Sequence, residues 1–423
     1  MRIRISRILG AAVMLTASLC VLTPAGAQIK ANSLNGGNGS GGSIYPLPLT
    51  YHVYDLGTFG GNTSNAYAIN NSNQIVGYST IFTNPWFISP NHAFRHNGTT
   101  PLNQNSDDLY AFGGVNSIAY GINSQGTVVG TAQDKNGTYE AFRHVGPGAL
   151  NPTSIYQGLF DDFGDLGEGA NLPNDGYAVA TGINDNDNFV GYSVPLAGMA
   201  AFMHRSGQGA LFNRLAYMIA PMETSYAYGV STVGGSSNQG VTVGMSRPFG
   251  NSSYHAMVVG NGTWNQWSDM GTLGGDSSCA LAVNNKGVIV GWSELFPGFA
   301  VRHAFRHVSP NQPITWNGAG TLNDLTDDLG VIDGSNSEAH AINKYNVVVG
   351  KSDWAGAGTH AFFYDSSMND LNDYLDASST GWKLTEANGI NDAGVIVGQG
   401  LINGAAHAFV AVPNPRWPFI LLP

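Results

Sequence analysis

Apolar residues in this chain recur as pairs closed by glycine. The copies are Ile75-Val76-Gly77, Val128-Val129-Gly130, Phe189-Val190-Gly191, Thr242-Val243-Gly244, Ile289-Val290-Gly291, Val348-Val349-Gly350 and Ile396-Val397-Gly398. Six steps lead from Gly77 to Gly398, a period of about 53 residues and the mark of a repeat architecture. Before each pair stands Ala, a variable residue, Ala or Gly, Ile or Val, then Asn or Ser. These modules start at Ala66, Ala119, Ala180, Ala227, Ala280, Ala339 and Ala387 and end at Asn70, Asn123, Asn184, Ser231, Asn284, Asn343 and Asn391. After each pair comes a triplet: His92-Ala93-Phe94, Glu140-Ala141-Phe142, Ala200-Ala201-Phe202, His255-Ala256-Met257, His303-Ala304-Phe305, His360-Ala361-Phe362 and His407-Ala408-Phe409. A looser fourth element, Asp-Leu-Gly or a relative, begins at Asp55, Asp165, Asp269 and Asp328. Each unit thus offers four short β-prone segments between Gly, Asn and Ser turns, and helical periodicity is missing. Seven such units predict an all-β fold, a seven-bladed β-propeller of four-stranded blades over residues 51–412.

Local chemistry agrees. Three residues past the Asn stands Asn73, Gly126, Asp187, Gly287, Asn346 or Gly394, types that tolerate the positive φ of a short hairpin. The fourth unit departs, with thirteen residues between Ser231 and Gly244. Glycine inside a strand costs about 0.5–1 kcal/mol against alanine, so seven in register imply a steric need, a close backbone or ring approach. Residues 51–57 carry a fourth-strand signature before the first unit, and the last unit stops after its third strand. The N-terminal strand is therefore expected to complete the last blade and close the ring, leaving no open sheet edge.

Composition sets the address. Arg2, Arg4 and Arg7 precede an apolar stretch from Ile8 to Leu22 and an Ala25-Gly26-Ala27 cleavage site, which reads as a signal peptide over 1–27. A bulky Leu19 before Cys20 argues against a lipoprotein. Residues 28–50 read as a flexible leader rich in Gly, Asn and Ser, and 413–423 as a short apolar tail. Only Cys279 remains beyond the leader, so no intramolecular disulfide is expected. Charged residues make up only 11% and the net charge is −11, which excludes a nucleic-acid binder. No second apolar run is long enough to span a membrane. The expectation is a secreted, extracellular monomer, with the periplasm as the other address.

Several elements recur in fixed order: Asp55-Leu56-Gly57-Thr58-Phe59-Gly60-Gly61, Val76-Gly77-Tyr78-Ser79 and His92-Ala93-Phe94-Arg95-His96, with second copies at 269–275 and 303–307. In these the chain resembles the bacterial extracellular HAF-repeat family, over about residues 51–412. The resemblance implies a secreted repeat protein and brings no catalytic motif.

What repeats builds the blade, so candidate site residues are sought where equivalent positions differ. The triplet histidines and the fourth-strand aspartates repeat, and are expected to bond within each blade rather than to hold a metal. Asp185 to Asn188 reads as a hairpin turn rather than a calcium loop. Between the small residues of the first strand the chain places Tyr67, Tyr120, Thr181, Tyr228, Leu281, His340 and Asn388; two residues earlier, Glu338 and Glu386 occur in units six and seven. Tyr67, Tyr120, Tyr228, Glu338, His340, Glu386 and Asn388 are the candidate ligand-binding residues of an acidic and aromatic channel mouth. No metal or cofactor is expected. The reading is a rigid ring that binds an extracellular polysaccharide or a surface protein. Two alternatives stand beside it: a polysaccharide lyase or glycoside hydrolase using Glu338, His340 and Glu386, and a structural cell-surface component.

Overall fold

The structure, a computed structural model, describes residues 50–82, 90–151, 155–156, 159–164, 177–194, 199–206, 224–232, 240–247, 250, 252–259, 267–308 and 321–414. Two compact units are distinguished, Met1–Gly41 and Gly42–Pro423, and every described residue lies in the second. The expected signal peptide, all of the leader but Thr50, and residues 415–423 of the tail lie outside the described residues. So does Asp165.

The described residues form an all-β fold of several antiparallel sheets. In each repeat the first three segments pair in chain order, as in Ser278–Val283, Val288–Glu294 and Arg302–Val308 of the fifth. In the first, second, fourth, fifth and sixth repeats the described part of the fourth segment is shorter than expected. It is three residues long at Asp108–Tyr110, Trp267–Asp269 and Met368–Asp370, and a single bridge at Asp162 and Asp328. A recurring aspartate marks where the segment ends. Its carboxylate accepts the N–H two residues on, from Gly57, Tyr110, Gly164, Gly271 or Gly330. That residue takes a positive φ, which turns the chain out of the strand. In the second repeat Asp162, not Asp165, fills this place.

The same carboxylates hold the triplet histidines. His92 Nδ1 lies 2.9 Å from Asp108, His255 2.9 Å from Asp269, His303 2.9 Å from Asp328, His360 2.5 Å from Asp370 and His407 3.0 Å from Asp55. Two motifs read separately in the sequence are one bonded pair. The alanine and phenylalanine of the triplet point to opposite sides of their sheet. Ala93 joins the core shared with the second repeat, Phe94 the core shared with the seventh.

The recurring glycine answers to a β-bulge. In all seven first strands the register skips one residue, between Ala66 and Ala68 in the first repeat and Ala339 and Ala341 in the sixth. The bulge drives the preceding carbonyl over the second strand. A Cβ on Gly291 would lie 1.9 Å from the carbonyl oxygen of Cys279, and the other six glycines are equally crowded. The next crowding is between first strands: a Cβ on Gly182 would meet the carbonyl oxygen of Tyr228 at 2.7 Å.

Among the described residues seven buried clusters each join two successive repeats. One joins the seventh to the first through Leu56, Phe59, Ile75, Val397 and Val410. Second-strand pairs divide between clusters: Ile75 faces the seventh repeat and Val76 the second. Both faces of each sheet are covered, so these strands read as apolar pairs rather than alternating residues.

The hairpin asparagines tie the repeats together. The Asn70 carbonyl Oδ1 accepts the N–H of Ser72 and Gln74, at 3.0 and 2.9 Å, while its Nδ2 donates to the carbonyl of Asn123 at 2.9 Å. The link passes from Asn123 to Asn184 and from Asn184 to Ser231. It resumes from Asn284 to Asn343, from Asn343 to Asn391 and from Asn391 back to Asn70. Ser231 lacks the carboxamide nitrogen; there the Thr232 N–H reaches Asn285 Oδ1 at 2.8 Å instead. The turns take positive φ at the expected residues, 59° at Asn73 and 82° at Gly126. All seven turns line one cavity of 220 Å³.

The strand Thr50–Gly57 pairs antiparallel with Ala405–Asn414 as the fourth strand of the seventh sheet. It buries Tyr51, Val53 and Leu56, each worth about 1.5–3 kcal/mol.

Two expectations follow for purified protein. Deleting residues 28–57 lowers the thermal midpoint by 10 °C or more in calorimetry; an unchanged midpoint would show that this strand is dispensable. Gly291→Ala destabilises by about 2 kcal/mol or more, because the added methyl has no space beside the Cys279 carbonyl. A loss below about 0.5 kcal/mol would show that the bulge yields.

Candidate functional site

The bulges present the variable residues in a row along the first strands. Residues two apart share one face of a strand, so Glu338 and His340 stand on the same partly exposed face, with His340 as the extra residue of the bulge. His340 lies on the sixth bulge, with Nε2 3.5 Å from Glu338 Oε2. Its Nδ1 faces Asn388 Oδ1 at 3.1 Å and Glu386 Oε1 at 3.6 Å. Asn388 Nδ2 donates to Asn65 Oδ1 at 2.9 Å and to the Ala66 carbonyl at 3.0 Å. The four polar candidates of units six and seven therefore meet in one cluster that reaches the first repeat.

Two cations complete it. Lys351 Nζ lies 3.2 Å from Glu338 Oε2 and 3.2 Å from Glu386 Oε1, between the two carboxylates. Arg302 Nη1 lies 2.9 Å from Glu338 Oε1, and its guanidinium sits 4.8 Å over the ring of Trp292. Burial raises the Glu338 carboxyl, but the His340 hydrogen bond and the charges of Lys351, His340 and Arg302 outweigh it and bring it down to about 2. Burial lowers Lys351, yet Glu386 and Glu338 together hold it above its ordinary value. At neutral pH Glu338 is ionised and has no proton to give. A general acid for glycosidic cleavage needs a carboxyl raised toward the working pH, so this arrangement holds charge and orients hydrogen bonds.

The tyrosines form the other part of the row. Tyr67 lies 5.2 Å from Tyr120 and 5.9 Å from Tyr78, centroid to centroid. Tyr139 lies 5.7 Å from Tyr177, Tyr177 6.3 Å from Tyr192, and Tyr192 5.1 Å from Tyr226. Tyr228 stacks parallel to Tyr226 at 6.3 Å, and Tyr254 follows at 6.0 Å from Tyr226. All are half-buried. Burial pushes the hydroxyls of Tyr67, Tyr120, Tyr192 and Tyr228 up, so they remain neutral donors well into the alkaline range. Tyr67 follows Ala66, whose carbonyl accepts the Asn388 Nδ2 hydrogen bond, so the row meets the ion cluster there. Tyr228 belongs to the far end of the row, and Leu281 places an apolar residue in the fifth repeat.

Sequence reasoning missed Tyr78, Tyr192, Trp292 and Lys351. They share one position, the residue after the repeated glycine, where the other repeats carry Thr131, Met245 and Gln399. Variation at that position was the available signal: it lies opposite the residue before the first alanine, as Lys351 does opposite Glu338. Among the described residues no group of three or more His, Cys, Asp or Glu is placed to hold a metal ion, and no helix is long and apolar enough to cross a membrane.

A family model described as protein of unknown function (DUF3466) matches residues 223–411. No curated protein matches the chain. Among solved structures, a mutant of AofleA from Arthrobotrys oligospora is similar at 9% identity and a TM-score of 0.34, over 86% of this chain and 93% of that one. A mutant of Aleuria aurantia lectin in complex with alpha-methyl-L-fucoside is similar at 10% identity and 0.29, over 88% and 99%. Trypanosoma rangeli sialidase is similar at 8% and 0.34, over 89% of this chain and 60% of the other. Likeness at this level leaves the site to be read from the chain itself.

The cluster sets a pH dependence. The folded value of Glu338 lies below its ordinary 4.5, so its stabilising contribution is complete above that pH and is lost as pH falls toward 2. The thermal midpoint of the wild type is expected to drop through this window. Glu338→Gln is expected to start lower at pH 6 and to drop less. Parallel curves for the two proteins would remove Glu338 from the acid response.

Proposed function

We propose that this chain is a secreted, extracellular repeat protein of the HAF type, closed into a seven-bladed β-propeller over residues 51–412, that binds a polysaccharide along its tyrosine row. Closure is supported by the Asn391 to Asn70 hydrogen bond, by the core shared between repeats seven and one, and by the single cavity that all seven turns line. The observation that carries the binding reading is the row of half-buried tyrosines that runs into a saturated ion cluster. Tyrosine offers a broad, stiff, amphipathic surface at low entropy cost, suited to the apolar faces and hydroxyl edges of sugars. Glu386, Asn388 and Lys351 supply fixed donors and acceptors at one end, already held by one another. Such preorganisation lowers the ordering cost of binding. The polysaccharide-cleaving alternative is weaker, because Glu338 is held ionised between two cations.

The test is a binding panel of neutral and acidic polysaccharides against purified residues 28–423, run with a time course for new reducing ends. Saturable binding of at least one polymer without product is expected. Tyr120→Ala and Tyr192→Ala are each expected to weaken it about tenfold, or 1.4 kcal/mol, with the fold intact by circular dichroism. Product that grows with time would make the protein an enzyme. Binding untouched by both variants would place the ligand elsewhere.

A further inference from the structure

A second pocket lies away from the tyrosine row, between repeats one and two. It has a volume of 440 Å³ and is lined by Arg95, His96, Asn97, Ser106, Gln125 and Gly126, among others. Arg95 follows the first triplet, as Arg143 follows the second. The two arginines have different partners. Arg143 forms an ion pair with Asp187, the positive-φ residue in the hairpin turn of the next repeat. At the matching turn position Arg95 finds Gly126, which has no side chain. It donates instead to the backbone carbonyls of Gly126, at 3.2 Å, and Gly146. Among the described residues no carboxylate pairs with it. Burial lowers its pKa, so its charge is partly desolvated and faced only by backbone carbonyls among the described residues, a costly arrangement for an arginine. A guanidinium has five N–H donors, and carbonyl bonds occupy two of these.

The neighbouring carboxylate does not fill the gap. Asp107 lies on the same wall, but its oxygens are taken up by His96 Nδ1 at 2.8 Å, the Asn103 N–H at 2.8 Å and the Ser106 hydroxyl at 3.0 Å. Asn97, Ser106 and Gln125 are exposed at the mouth, so the pocket opens to solvent through neutral polar side chains.

We infer that this pocket binds a carboxylate from outside the chain, that of a sugar acid, at the place that Asp187 occupies beside Arg143. The carboxylate pairs with the guanidinium N–H groups that the two carbonyls leave, a charge-assisted contact that arginine favours. The amide and hydroxyl groups at the mouth receive the sugar hydroxyls. The inference stands apart from the tyrosine row and does not depend on it.

The repeat supplies its own control. Gly126→Asp places a carboxylate where the third repeat already has one, at a φ of 82° against 64° for Asp187. The new Cβ meets only the end of the Gln74 side chain, at 2.8 Å. The probe is D-glucuronate, titrated into the whole mature chain by calorimetry, with D-glucose and acetate alongside. Glucuronate is expected to bind saturably in the millimolar range, acetate at least fivefold more weakly and glucose not measurably. Gly126→Asp is expected to lose binding at least tenfold while holding or raising the thermal midpoint. Arg95→Gln removes the cation by a second route and is expected to lose binding equally. No glucuronate binding by the wild type, binding that survives both substitutions, or acetate as tight as glucuronate would each overturn the inference.

Discussion

Seven times along this chain a carbonyl oxygen is pressed onto a glycine. The bulge in each first strand pushes the carbonyl before it over the second strand, and only a residue without a Cβ fits beneath, as at Gly291 under Cys279. First strands of successive repeats also run close, which is why small residues follow the bulge, as at Gly182 beneath the Tyr228 carbonyl. The bulged residue itself lies on the partly exposed face of its strand, so its identity is free of the core. Glycine and bulge form the scaffold; the variable residue carries whatever chemistry the repeat offers.

The polar contacts follow the same economy, one side chain serving two ends. An asparagine carboxamide fixes its own hairpin with its oxygen and holds the next repeat with its nitrogen. An aspartate stops its strand and anchors a histidine on the neighbouring third strand. Ser278 accepts the Ala256 N–H and donates to the Gly271 carbonyl, both in the preceding repeat. Local turns and contacts between repeats are therefore made by the same atoms, so hairpin and packing errors are not independent. Such agreement between local and long-range preference is what gives a sequence one low-energy fold.

The repeat itself was plain in the sequence, because glycine, positive-φ turns and apolar pairs each have a steric cause that appears in the residue type. The site was half visible. Glu338, His340, Glu386 and Asn388 stood out as departures from the pattern, and adjacent first strands bring them together. Lys351 and Arg302 did not, although they fix the charge of the cluster. Their positions lie on the second and third strands, and only strand register shows that Lys351 faces Glu338. The pairing of triplet histidine with fourth-strand aspartate was hidden for a similar reason. Spacing between the two varies from ten residues for His360 and Asp370 to twenty-five for His303 and Asp328, and for His407 the partner is at the other end of the chain.

That last separation has a kinetic meaning. Asn414 and Thr50 are 364 residues apart in the chain and joined in one sheet. Every other sheet is built from neighbours in sequence and can form as soon as its own residues are available. The seventh must wait for both of these segments, and its pairing bears the entropy of closing that 364-residue loop. The N-terminal strand is thus first to be synthesised and last to be placed. Until the final repeat emerges, this strand has no partner to pair with, and order of synthesis is opposed to order of assembly.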